Sequence, residues 1–506
     1  MEAAALLVWK ASLDNRSQSL LSSWVVASNH CDWIGVGCKL AVGRVITHIN
    51  LKSYGLRGKL SDINFTSLPH ILSLNLENNS LYGALPSCIG NLSRLAFLSL
   101  SNNYLSGSIP NEIGLLVSLV ELSLHSNRLE GSIPPCIGNF SNLSTLYLSA
   151  NQLSGSIPKE IGMLRSLVDL RLLRNNLTGT IPASIGNLVN LTTLYLSENN
   201  LSGEIPKEVG NLEFLEILQL GDNQFTGSVP KQLNNLTQVK KFQVSNNMLT
   251  GHLPENLCFG GSLQNLTAEN NNFTGPIPKS LKYCSSLYRV RLEGNQFSGN
   301  ISEDFGLYPN LSYIDLSGNK FYGELTPGWG KYKNLKSLKM SNNNISGGIP
   351  PALVEASQLS RIDLSLNQLV GEIPKKFGSL VLLFDLKLND NQLSGDIPSE
   401  LGRLVNLETL NLADNNLSGS IPRELGLCIR LLNLSLSNNK LRGNIPWELG
   451  LLHGLENLNL GENLLFGMIP QQIGALLRLE TLNLSHNELL GFIPSSFDEM
   501  LALSWV

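Results

Sequence analysis

The segment Tyr288-Arg289-Val290-Arg291-Leu292 is where residue type and spacing most plainly offer chemistry. In a strand, alternate side chains share a face, so Arg289 and Arg291 project together, roughly 6.6 Å apart. Two guanidiniums so placed can fork onto a carboxylate through charge-assisted hydrogen bonds. Glu293 continues the same row, and one period later Tyr313 falls beside Arg289 and Asp315 beside Arg291. These neighbours could neutralise both arginines with no ligand at all. Nothing comparable suggests catalysis. The sequence has no phosphate loop, no His-Glu-x-x-His, no nucleophile elbow and no kinase motif, and its seven histidines are scattered. The expectation is a binding protein, not an enzyme, with no cofactor.

What positions these residues is a period. Asparagine recurs every 24 residues from Asn79 to Asn487, each in a frame such as Leu95-x-x-Leu98-x-Leu100-x-x-Asn103-x-Leu105-x-Gly107-x-Ile109-Pro110. This is the pattern of a leucine-rich repeat solenoid, which grows by stacking and needs no single large core. The alternation Leu-x-x-Leu-x-Leu predicts a short strand with leucines inward. The asparagine turns the chain and can satisfy backbone groups freed at the bend. The remainder returns along the outer face, where proline after isoleucine forbids a continuous helix. The expected fold is an α/β-type solenoid with all strands in one parallel, concave sheet. Two adjacent units depart from the Ile-Pro rule by lacking the proline, at Ile301-Ser302 and Leu325-Thr326. This predicts drift in the outer segment or a local change in curvature.

Outward side chains lie six, four and two residues before each asparagine. In the ten units with asparagines from 175 to 391, these 30 positions hold 13 charges, whereas the 12 positions of the last four units hold none. The middle of the sheet is therefore the chemically individual part. Its candidate ligand-binding residues are Asp169, Arg171, Tyr195, Gln219, Lys241, Gln243, Asn265, Glu269, Arg289, Arg291, Glu293, Tyr313 and Asp315.

Residues 1–49 do not follow the period; residues 50–506 are one degenerate repeat, eighteen regular ones and the start of another. A solenoid needs a cap over its first unit. The segment Cys31-Asp32-Trp33-Ile34-Gly35-Val36-Gly37-Cys38 resembles the amino-terminal cap of plant leucine-rich repeat receptors, and the Leu-x-Gly-x-Ile-Pro closure resembles their plant-specific repeat. The resemblance covers nearly the whole chain and implies the extracellular domain of a receptor-like kinase. Asn300-Ile301-Ser302-Glu303-Asp304-Phe305-Gly306 with Tyr313-Ile314-Asp315-Leu316-Ser317 is most similar to the group that senses secreted serine-rich peptides. It implies capture of a secreted peptide on the concave face, then recruitment of a shorter leucine-rich repeat co-receptor kinase near the carboxy-terminal repeats. In several such receptors an Arg-x-Arg, similar to Arg289 and Arg291, holds the peptide's free carboxy terminus. The competing readings are a secreted inhibitor of microbial wall-degrading enzymes or another kinase-less protein.

The cap motif implies a Cys31–Cys38 disulfide. Cys258 and Cys284, one period plus two residues apart, lie within bridging reach, and similar receptors often bridge there. Cys88, Cys136 and Cys428 are expected as reduced, buried thiols, and no paired spacing suggests a metal. Sequons at Asn64, Asn91, Asn139, Asn176 and Asn300 suggest glycosylation, although the repeat itself writes Asn-Leu-Ser. With 15% charged residues and a net charge of −4, nucleic acid is not an expected partner. No apolar run of about 18 residues is present, so a membrane would be reached only through a span downstream. Leu503 and Val506 fall where a further repeat would begin, which predicts a fragment of a longer product.

Overall fold

The computed structural model describes residues 1–39 and 44–504; Val506 lies outside them. The chain divides into two units, Met1–Gly260 and Gly261–Val506, which share one local plan.

In the first unit, α-helices Glu2–Ser12 and Asn15–Leu20 open the cap. Trp9, Trp24 and Trp33 are buried and lie ring to ring, 6.1 Å and 5.5 Å between centroids. Their indole N–H groups are not left unpaired: Trp9 donates to the Lys59 carbonyl and Trp24 to that of Ile34. Strand Val36–Lys39 then pairs antiparallel with Val45–Asn50, which pairs parallel with Ser73–Asn75. The strand that starts the repeats thus begins inside the segment assigned to the cap.

From there each repeat contributes a three-residue strand to a parallel ladder, in register at 24 residues: Leu170 faces Leu194, and Leu194 faces Leu218. In the second unit the ladder runs from Asn265–Thr267 to Thr481–Asn483 in the same register. The inward leucines are fully buried. Ser504 N–H donates to the Glu480 carbonyl, continuing the ladder past the last named strand. Leu479 and Leu482 are buried there, while Leu484, Phe497 and Leu503 are half-buried.

The register asparagine does more than turn the chain. Asn343 Nδ2 donates to the Met340 and Ser341 carbonyls of its own repeat and to the Leu316 carbonyl of the preceding one. Its Oδ1 accepts the N–H of Phe321, also in the preceding repeat, at 3.0 Å. Each asparagine is therefore a staple between neighbours, in a site too dry for water to substitute.

One sheet was expected, and the structure corrects this. The residues after each asparagine form a second parallel ladder, with strands such as Tyr104–Ser108 and Arg128–Ser132 paired Ser106 to Arg128. Between the ladders the residue before each asparagine is left-handed, with φ near +53° at Leu366 and +56° at Arg174. The glycine of Leu-x-Gly is also left-handed, φ +73° at Gly107, which explains why that position is glycine. After each Ile-Pro the chain makes a single 3₁₀ turn, such as Asn111–Leu115.

The Leu325-Thr326 unit keeps this turn at Pro327–Lys331, with proline inside it. The Ile301-Ser302 unit has no named helix, and aromatic rings fill the space instead. Phe305 packs on Phe321 and Trp329, and Tyr308 stacks on Tyr332 with 5.9 Å between centroids. The Tyr332 hydroxyl donates to the Gly306 carbonyl.

Candidate ligand face and its ion pairs

In the second unit, strand Arg289–Arg291 buries Val290 and turns both arginines outward. Tyr313 lies beside Arg289 and Asp315 beside Arg291. The two guanidiniums nevertheless differ in fate. Arg291 Nη1 bonds Glu269 Oε1 at 2.9 Å and its Nε donates to Glu293 Oε1 at 2.8 Å. Glu269 retains only 5% side-chain exposure, so this cation neutralises a nearly buried carboxylate. Arg289 is exposed, its guanidinium 4.8 Å above the Tyr313 ring, and it has no carboxylate partner among the described residues. The register neighbour Asp315 bonds Lys339 instead, at 3.3 Å, and accepts the Tyr313 hydroxyl at 3.2 Å.

Burial of these charges tunes their protonation. Burial, then the charge of Asp315, pushes the Glu293 carboxyl above its ordinary value. Burial works against the charge on Arg291, but its bond to Glu293 and the charges of Glu293 and Glu269 outweigh it and raise its pKa. Burial and Asp315 likewise raise the Tyr313 phenol. Asn265, half-buried, is the register neighbour of Arg289. Further along, Arg361 forms an ion pair with Asp385, Nε to Oδ2 at 3.0 Å, and lies 5.0 Å over the Phe384 ring.

The first unit carries a separate patch. Arg171 forks onto Asp169, Nε to Oδ1 at 2.9 Å and Nη2 to Oδ2 at 2.7 Å. Its guanidinium sits between the Tyr147 ring at 4.5 Å and the Tyr195 ring at 5.3 Å. The Tyr147 hydroxyl donates to Asp169 at 2.8 Å, and burial followed by that bond pushes its pKa up to about 12. Tyr147 was missed by counting charges alone. The signal was present, since it stands four residues before Asn151, in the row of Arg171. Gln219, Lys241 and Gln243 are half-buried outward residues of the next strands, Ile217–Gln219 and Lys241–Gln243.

Cys31 and Cys38 form a disulfide with Cα atoms 5.5 Å apart. Cys258 and Cys284 are each disulfide-bonded. Cys428 is a buried thiol, whereas Cys88 and Cys136 are half-buried, which corrects the expectation of burial for all three. The outer turns that carry the latter two leave one side open to solvent. Asn64, Asn91, Asn139 and Asn176 are exposed. Asn300 is half-buried, its Oδ1 accepting the Ser302 N–H at 3.0 Å.

Comparison with known proteins agrees with this architecture. A "Leucine rich repeat N-terminal domain" model matches residues 1–39, and a "Leucine-rich repeat region" model matches 59–198. "Leucine Rich Repeat" models match 190–212, 214–236, 262–284, 334–355, 406–428, 430–452 and 478–500. The plant peptide hormone receptor RGFR1, solved in complex with RGF2, is 34% identical with a TM-score of 0.82, over 94% of this chain and 82% of that one. The Arabidopsis receptor kinase HAESA, solved with the peptide hormone IDA and the co-receptor SERK1, is 32% identical with a TM-score of 0.77, over 100% of this chain and 97% of that one. The chain belongs to the leucine-rich repeat ectodomains of plant receptor-like kinases. Among full-length relatives, MDIS1-interacting receptor like kinase 2 of Arabidopsis thaliana is 40% identical over 98 residues, 19% of this chain and 9% of that kinase. Among the described residues, no helix is long and apolar enough to cross a membrane.

Proposed function

We propose that this chain is the ligand-binding ectodomain of a cell-surface receptor kinase. It captures a secreted peptide on the ladder face and then recruits a shorter leucine-rich repeat co-receptor kinase. Support comes from the peptide-hormone complexes of RGFR1 and HAESA, the latter with SERK1. The parent protein would supply the membrane span and the kinase. A kinase-less reading has one observation in its favour: Receptor-like protein 31 of Arabidopsis thaliana is 41% identical over 76 residues, 15% of this chain.

The observation that carries the binding mode is the inequality of the two arginines. Arg291 is occupied by Glu269 and Glu293, while Arg289 is exposed, with its guanidinium 4.8 Å from the Tyr313 ring centroid. Arg289 is therefore the anchor for a peptide's carboxy-terminal carboxylate, and Arg291 keeps the surrounding acids from repelling it. Asn265, Glu293, Tyr313 and Asp315, in the same and neighbouring repeats of this unit, supply the remaining polar contacts. Serine-rich secreted peptides are the first class to screen. With a peptide in hand, Arg289→Ala should weaken binding by about tenfold or more and leave the melting temperature unchanged. An amidated peptide should lose as much on the unmodified receptor and nothing further on the variant. Equal binding of the acid and amide forms would sink the assignment of Arg289.

A further inference from the structure

Within Gly261–Val506, a groove of roughly 630 Å³ follows the edge of the ladder where its strands begin. It lies away from the ligand face, because its walls come from residues nine and seven positions before each register asparagine. The carboxamides of Gln264, Asn310, Asn334 and Gln358 line it, with Lys336 and the Tyr288 ring. Tyr288 is 51% exposed, so part of its ring is open to the groove. A carboxamide offers a donor and an acceptor side by side, the complement of neighbouring sugar hydroxyls. An exposed ring offers an apolar face for the C–H side of a pyranose.

The groove also contains its own attachment point. Asn310-Leu311-Ser312 is an acceptor sequon for N-glycosylation. Leu311 is buried, and Asn310 and Ser312 both line the groove, Ser312 largely covered at 9% exposure. Asn310 is exposed, and its Nδ2 makes only a long contact, 3.5 Å to the Ser285 carbonyl. The neighbouring Asn334 is different: its Nδ2 is held by the Pro309 carbonyl at 2.8 Å, and it heads no sequon.

We propose that Asn310 carries an N-linked oligosaccharide whose first sugars lie in this groove against Tyr288. The proposal rests on the chain's passage through the secretory route. The donor is an oligosaccharide on a lipid diphosphate. Nδ2 of Asn310 loses a proton and bonds to the anomeric carbon as the carbon–oxygen bond to the diphosphate breaks, and the lipid diphosphate leaves. No oxidant or reductant is needed. A glycan seated this way covers the polar edge of the ladder and leaves the face with Arg289 clear.

The test is site-specific glycopeptide mapping of the secreted chain from plant cells, with native-state release by an endoglycosidase that cuts between the two core sugars. Asn176, an exposed residue at the start of a strand in the first unit, serves as the open control. Release at Asn310 should be about tenfold slower than at Asn176 in the native protein and equal to it after denaturation. Tyr288→Ala should remove most of the difference, and Tyr288→Phe, which keeps the ring, should preserve it. Equal native release rates, or an unoccupied Asn310 beside an occupied Asn176, overturns the proposal. If every sequon is bare, the secretory reading falls with it.

Discussion

Two stretches of the second unit's ladder use one scaffold for opposite surfaces. From Asn265 to Lys387 the outward positions carry ion pairs: Arg291 with Glu269 and Glu293, Lys339 with Asp315, and Arg361 with Asp385. From Thr409 to Ser485 they carry only small or amide side chains, and the contacts are of another kind, such as Asn457 donating to Asn433 at 2.6 Å. Strand length, register and the buried leucines do not change between the two. The inward half of each strand therefore specifies the scaffold, and the outward half is free to vary without disturbing it. A surface that carries buried charge in one place and none in the other is what a localised recognition site requires.

The largest effects should be alike in both stretches. Asn343→Ala and Asn463→Ala each remove four hydrogen bonds that span two repeats. Each should lower stability by about 3 kcal/mol or more, read by denaturant unfolding. Tolerance of one but not the other would mean that the scaffold is not uniform.

The next effect should differ between them. Arg291→Ala takes the cation from nearly buried Glu269 and from Glu293. Because the Arg291 side chain is 34% exposed, the loss is discounted to about 1–3 kcal/mol. Asn459→Ala, in the same row of the neutral stretch, should stay within about 0.5 kcal/mol. Equal losses would show that the charges on this face are as dispensable as the amides.

Acid should also separate the two stretches. Burial raises the Glu293 carboxyl above its ordinary 4.5 and the Asp385 carboxyl above its ordinary 3.8, the latter despite Lys387 and Arg361. A raised native pKa means that the folded state holds the proton more tightly than the unfolded state. Its contribution is complete below the ordinary value and lost as pH rises through the raised one. Hydrogen exchange, corrected for its intrinsic pH dependence, should show strands Arg289–Arg291 and Asp385–Lys387 gaining protection as pH falls through that window. Strand Asn457–Asn459 should not respond, and Glu293→Gln should flatten the response around its own strand.

The smallest effect concerns the left-handed residue before the asparagine. Leu366 holds φ +53° with a branched side chain, while Asn438 holds φ +50° with a residue suited to it. Leu366→Asn should stabilise by about 0.5–1 kcal/mol and Asn438→Leu should destabilise by as much. A loss of stability from the first exchange would show that the Leu366 side chain has a packing role its 49% exposure conceals.

Much of this was readable in the sequence, because a strict period assigns every residue to a face. The inward leucines, the strand positions, the register that sets Tyr313 beside Arg289, and the contrast between charged and neutral outward rows all follow from counting by 24. The second ladder did not follow. Tyr104–Ser108 has the look of a turn when read alone, and it is a strand because a neighbour 22 residues on completes its hydrogen bonds. The left-handed residues were equally hidden, since Ala150, Arg174 and Leu366 have no preference for that conformation and are held there by the ladders on either side.

The solenoid, its cap and the outward rows of the ladder are legible in the amino-acid order, because they depend on local pattern repeated without a slip. Which charges pair and which stay open is a matter of packing between repeats. Glu269, Glu293 and Asp315 all lie within one repeat of Arg291. The pairing of Arg291 with Glu269 and Glu293, with Asp315 left to Lys339, does not follow burial, since Glu269 and Asp315 are equally covered at 5% exposure; it is set by how the side chains are placed across the strands. That pairing leaves Arg289 open, and spacing along the chain carries no record of it.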